Sequence, residues 1–168
     1  MSAQGTPAIA ALRRAGVRFE VLSYEAPERH GRDRADRPSY GLDASEALGV
    51  EPARMFKTLI ASTDSRLVAA LVPVDRELDL KRLAAAADAR NAILSAPLAA
   101  ERTTGYVVGG ISPLGQKRRL TTVVDVSALT FPLVLVSAGR RGVDVELAPT
   151  DLIRLTTANT APVARRHG

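Results

Sequence analysis

The sequence contains no cysteine. That excludes a disulfide framework, a thiolate nucleophile, a cysteine-ligated zinc site and an iron–sulfur cluster. Histidine is almost as scarce: His30 stands in a charged stretch and His167 is the penultimate residue. Neither place offers the rigid support that a triad base or a metal ligand needs, so no metal is expected. There is no GxGxxG fingerprint, and no cofactor is expected. Aromatic residues make up only 4% of the chain, too few for a broad base-stacking platform. No apolar run approaches the roughly 18 residues of a membrane helix. Met1 to Pro7 has neither the basic nor the apolar region of a signal peptide. The expectation is a cytoplasmic chain with no membrane partner.

What is present points to one domain of 168 residues. A chain of this length buries on the order of 70% of its unfolded surface and needs no covalent staple. Lys and Arg number 23 against 18 Asp and Glu, a net charge of +5. This favours an anionic partner such as RNA, though modestly. Three basic runs, Lys117-Arg118-Arg119, Arg140-Arg141 and Arg165-Arg166, read as solvated faces or phosphate contacts.

Hydrophobic periodicity and punctuation predict alternating helices and strands. Thr6-Pro7 opens a helix that Gly16 stops, and Val17 to Tyr24 alternates as a strand. Residues 25–38 are charged and almost free of apolar side chains, which predicts a solvated loop. A short helix over Ser39 to Leu48 follows, then a helical turn at Pro52 and a hairpin around Asp64-Ser65-Arg66. Asp79 and Pro97 start two further helices, with a strand at Ala92 to Leu94 between them. Strands are predicted at Leu120 to Val126, Leu133 to Val136 and Val143 to Leu147. The second lacks alternation and is expected in mid-sheet, buried on both faces. A last helix over Asp151 to Thr157 precedes a frayed basic tail at 161–168. The fold class is one α/β domain over 1–160 with a mixed sheet.

Two hydrolytic motifs come close and fail. Gly110-Ile111-Ser112-Pro113-Leu114 has leucine where a nucleophile elbow needs glycine. Gly110 to Lys117 has Gln116 where a P-loop needs lysine, and it leads into a strand instead of a helix. What survives is Gly105 to Gly115, with four glycines and Pro113 in eleven residues. Gly109-Gly110 could adopt positive φ and present amides to a developing oxyanion, or form a tight turn or bulge. Lys57 stands in an apolar setting, where its head faces a cleft or snorkels to water. Tyr24 either lines a cleft or packs, and Asp144 is a turn residue or orients a substrate amine.

Met55-Phe56-Lys57-Thr58-Leu59-Ile60, the stretch Arg102 to Gln116, and Gly142-Val143-Asp144-Val145-Glu146-Leu147 together resemble the YbaK family of Cys-tRNA(Pro) deacylases. These are free-standing relatives of the editing domain of prolyl-tRNA synthetases. The resemblance implies a strongly curved mixed sheet flanked by helices, and hydrolytic clearing of mischarged aminoacyl-tRNA. It places the family's lysine on Lys57, its pocket tyrosine on Tyr24, its GxxxP loop on Gly109 to Pro113 and its late aspartate on Asp144. Lys57, Gly109 and Gly110 are then the expected catalytic residues. Phe56, Thr58, Ile111, Ser112, Pro113, Tyr24 and Asp144 are expected to bind substrate. The implied chemistry is substrate-assisted: the cysteine thiol attacks its own ester. The implied partners are the acceptor end of tRNA(Pro) and prolyl-tRNA synthetase. Ala- or Ser-tRNA deacylation on the same scaffold, or a non-catalytic tRNA- or synthetase-binding module, are the alternatives.

Overall fold

Local capping starts the chain. In the computed structural model, which describes residues 5–26 and 40–167, the Thr6 hydroxyl accepts from the Ile9 amide at 3.2 Å. Pro7 opens α1 (Pro7–Ala15), and Gly16 closes it at φ 69°, a conformation that costs glycine little. Ala8, Ile9 and Leu12 form the buried stripe of α1. After β1 (Phe19–Ser23), the charged stretch at 28–38 lies outside the described residues. The chain then runs through α2 (Tyr40–Leu48), a 3-10 turn at Pro52–Arg54, and the hairpin β2 (Phe56–Thr63) and β3 (Leu67–Pro73). β4 (Glu77–Leu78), α3 (Leu80–Ala86), β5 (Ala92–Leu94) and α4 (Pro97–Thr104) come next. Past the glycine-rich segment lie β6 (Thr121–Asp125), a 3-10 helix at Val126–Thr130, β7 (Val134–Arg140), β8 (Val143–Leu147), α5 (Pro149–Thr156), β9 (Asn159–Ala161) and β10 (Ala164–Arg165).

The strands pair into a five-stranded mixed sheet, β5-β2-β3-β6-β9, a three-stranded antiparallel sheet, β1-β8-β7, and the short ribbon β10-β4. β2 runs antiparallel to β3 and β5, whereas β3–β6 and β6–β9 are parallel. The mixed sheet with flanking helices is thus present, with its ladder broken at one seam. There, among the described residues, one isolated parallel bridge, Met55 to Leu135, joins the two larger sheets.

That seam corrects one expectation. Val134, Leu135 and Val136 are fully buried, as expected of their apolar run, whereas Leu133, expected to be buried with them, is 42% exposed and precedes the strand. However, β7 is the last strand of its own sheet and not a mid-sheet strand. Burial comes from two separate clusters: Val134 and Val136 join the main core, while Leu135 joins Met55, Val74 and Ala44 in a cluster with α2. The tail is a second correction. Val163 is fully buried, β9 and β10 are paired, and the Asp125 carboxylate accepts from the amides of Val163 and Ala164 at 2.9 Å each. Composition hid this, because the anchoring is main-chain hydrogen bonding to one distant aspartate.

Candidate active site

Side chains alternate along a strand, so register decides which residues share a face. Across β1 and β8, Leu22 pairs with Asp144, and across β8 and β7, Asp144 pairs with Ser137. Two residues before Ser137 is Leu135, bridged to Met55, and two residues after Met55 is Lys57. Asp144, Ser137, Leu22 and Lys57 therefore occupy one side of the seam, and Tyr24 follows Leu22 by two on the same side. The other side carries Phe56, Val136 and Val145, all in the main core.

Electrostatics mark the first of these faces. Burial pushes the Asp144 carboxyl up to about 7. Burial also lowers the Lys57 ammonium from its ordinary value, against the opposing pull of Glu77 and Asp75. The Tyr24 hydroxyl is raised, first by burial and then by Asp144. A carboxylate and an ammonium both held away from their ordinary titration ranges are characteristic of functional clefts. Asp144 is a strand residue, not a turn residue. The turn is Arg141-Gly142, and Gly142 has φ 87°. Its carbonyl accepts from the Tyr24 amide at 2.9 Å.

The glycine loop is anchored at several points. Gly105 caps α4 in the left-handed region. The buried Tyr106 hydroxyl donates to the Leu114 carbonyl at 2.7 Å. The Ser112 hydroxyl, wholly buried, accepts from the Leu114 amide at 3.2 Å. Gly109 takes positive φ, at 93°, but Gly110 does not. Gly110 is required for a different reason: a Cβ there would lie 2.9 Å from the Arg140 backbone. The loop thus meets the end of β7, three residues past Ser137.

The predicted residues sort into two groups. Tyr24 and Asp144 are neighbours, Lys57 shares their side of the seam, and Gly109 and Gly110 meet the β7 end of the same sheet. Phe56 (2% exposed) and Ile111 (7%) are buried in one core cluster, Phe56 on the side of β2 opposite Lys57. Thr58 shares the Phe56 side, with its hydroxyl buried and without a hydrogen-bond partner. Pro113 is buried within the loop. The Gly110 amide donates to the Val107 carbonyl at 2.9 Å, which removes it as an oxyanion donor and leaves Gly109 as the candidate. Ser137, which the sequence reading did not single out, stands opposite Asp144, and its hydroxyl accepts from the Gly139 amide at 3.2 Å. Of two clefts, one of about 220 Å³ is lined by Pro113, Leu114 and Gly115 at the end of the glycine loop and one of about 250 Å³ by Asp75 and Asp125, and Lys57 and Asp144 line neither.

Residues 40–155 match the family model of the aminoacyl-tRNA editing domain. Over 124 residues, 73% of this chain, the sequence is 37% identical to EbsC of Enterococcus faecalis, named as a candidate Cys-tRNA(Pro)/Cys-tRNA(Cys) deacylase, 76% of which is covered. A 68-residue stretch, 40% of this chain, is 40% identical to 12% of the proline–tRNA ligase of Moorella thermoacetica. Among solved structures, one described as a candidate trans-editing enzyme for prolyl tRNA synthetase superposes with a TM-score of 0.82 at 23% identity, covering 98% of this chain and 99% of that one. With its matched segment spanning every element from α2 into α5, the chain belongs to the aminoacyl-tRNA editing domain family.

Proposed function

We propose that this chain hydrolytically clears mischarged aminoacyl-tRNA in the cytoplasm, with Cys-tRNA(Pro) as its substrate and the cysteine thiol as the attacking group. The observation that carries the reading is that register puts the desolvated Lys57 and Asp144 on one side of the β2–β7 seam, in a sheet whose β7 end carries the loop with a positive-φ glycine. The likeness to EbsC supports the substrate class.

An aminoacyl ester is already activated, so placement and charge stabilisation suffice. The thiol sulfur attacks the ester carbonyl carbon. A carbon–sulfur bond forms, the carbon–oxygen bond to the ribose breaks, and the thiol proton passes to the departing ribose oxygen. A cyclic thioester and uncharged tRNA leave, and water later opens the thioester. In this scheme the Gly109 amide faces the developing oxyanion. Lys57 anchors the polar or anionic end of the aminoacyl-adenosine, and Asp144 receives the substrate ammonium. Tyr24 and Ser137 border that pair, and Ser112 and Pro113 hold the loop's shape. Selectivity for tRNA(Pro) is shared with prolyl-tRNA synthetase as a weak partner.

The test is deacylation of proline tRNA charged separately with cysteine, alanine and serine. Cysteine is expected to be released, while alanine, which has no nucleophile, persists. Lys57→Ala should abolish release with unfolding behaviour unchanged. Equal release of alanine would sink the thiol route in favour of direct hydrolysis, and salt-sensitive tRNA binding without cleavage would point to a non-catalytic module.

A further inference from the structure

The turn that opens the glycine loop is held by two charged side chains that the proposed chemistry leaves unused. Because the Gly110 amide donates to the Val107 carbonyl, residues 107–110 form a β-turn with Val108 and Gly109 at its centre. Gly109, at φ 93°, has the left-handed conformation that a type II turn needs at its third residue. Type I and type II turns differ mainly by a half-rotation of the central peptide, here the unit joining Val108 to Gly109. That unit is planar and trans, so its carbonyl and its amide point in opposite directions. Whatever holds the Val108 carbonyl therefore aims the Gly109 N–H.

Arg141 holds it twice. Its Nε donates to the Val108 carbonyl at 3.1 Å and its Nη2 at 2.7 Å. On the adjoining peptide, the Val108 amide donates to Glu101 Oε2 at 2.9 Å. Arg141 opens the two-residue turn between β7 and β8, and its own backbone nitrogen lies against Gly110. Hairpin, guanidinium and loop are thus one mechanical unit.

We propose that Arg141, with Glu101 anchoring the adjoining peptide, is a positioning residue: by gripping the Val108 carbonyl it fixes the Val108–Gly109 peptide and aims the Gly109 amide at the oxygen of the substrate ester. The inference rests on the deacylase reading above. A cation at the carbonyl also polarises the peptide and strengthens the N–H at its other end as a donor. Without the grip, the peptide can turn over and place a carbonyl where negative charge develops, which opposes the reaction.

The rival role for an exposed arginine is a phosphate contact with tRNA. Steady-state deacylation of Cys-charged proline tRNA separates the two. In Arg141→Ala, kcat should fall about 10- to 100-fold, because losing one oxyanion donor costs on the order of 10² to 10³. KM should stay within about twofold, because the tRNA itself is not touched. Arg141→Lys, with one donor direction, should recover part of kcat, as should millimolar guanidinium added to Arg141→Ala. Glu101→Ala should also lower kcat, and the double variant should be no worse than Arg141→Ala alone, since both act on one turn. An unchanged kcat with a raised KM and a shallower salt dependence makes Arg141 a phosphate contact and overturns the proposal. A wild-type chain that clears no charged tRNA ends the deacylase reading instead. The grip is then judged by amide NMR: Arg141→Ala must shift the Gly109 resonance and speed its exchange, and an unchanged Gly109 overturns it.

Discussion

In water the Asp144 carboxyl would ionise near pH 4, but burial holds its proton until about 7. The folded state therefore keeps a proton that the unfolded state has already released. Stability from this group is undiminished below the unfolded value of 3.8 and falls as pH rises toward about 7. Above that range the full penalty applies, with an upper bound of about 4 kcal/mol at roughly 1.4 kcal/mol per pH unit. Asp144→Asn should match the wild type in urea unfolding at pH 4 and exceed it at pH 8. The same change should slow deacylation and remove a rise in kcat/KM centred near pH 7, if the ionised form receives the substrate ammonium. A variant that gains no stability at pH 8 would show that Asp144 is well solvated. The aspartate itself was visible in the sequence, beside Arg140-Arg141-Gly142. Its burial was not, because that depends on Leu22 and Ser137 arriving from two other strands.

Elements fix where the loop sits. The β7–β8 hairpin and the Gly109–Pro113 segment touch through Gly110, where a Cβ would come within 2.9 Å of the Arg140 and Arg141 backbone. Backbone cannot rotate aside as a side chain can. Gly110→Ala should thus push loop and hairpin apart and destabilise the fold by about 1–3 kcal/mol. Its kcat should fall further than stability alone explains, because the Arg141 grip on Val108 would lengthen. Normal kcat together with lowered stability would uncouple hairpin from loop. At this scale the sequence was informative about helix starts and stops. Thr6, Pro7, Gly16 and Asp79 act within one turn of chain, and each cap stands where expected. The loop was recognisable as unusual from its glycines alone. The separate reasons for Gly109 and Gly110 were not recognisable, since one is a local dihedral and the other is contact with a hairpin thirty residues away.

The whole molecule closes on Asp125. This aspartate, 5% exposed, receives the amides of Ser127, Val163 and Ala164, so one carboxylate ties the end of β6 to the last strands. Charge-assisted bonds of this kind are each worth about 1.5–3 kcal/mol, and an unpaired buried amide adds its own cost. Asp125→Ala should lower unfolding free energy by about 3 kcal/mol or more and release residues 159–167 to proteolysis. A stable, protease-resistant Asp125→Ala would show that burial of Val163 alone secures the tail. The parallel pairing of β9 with β6 and the β10–β4 ribbon complete the sheet edges at this end. The segment Asn159 to Arg166, with Ala161 to Ala164 as one short apolar block broken by Pro162, lacks the apolar alternation that announces a strand.

By itself, the sequence determined the helices and the longer strands, the α/β class and the short list of Lys57, the glycine loop and Asp144, because caps, turn residues and hydrophobic period act over a few neighbouring positions. It also carried the family, whose model spans residues 40–155. Tertiary structure alone decided which of those residues share a face. A strand reverses its side chains at every step, so Lys57 and Phe56, adjacent in the chain, lie on opposite sides of the seam. Only the register through Met55, Leu135, Ser137 and Asp144 puts Lys57 and Asp144 on one side and Phe56, Val136 and Val145 on the other.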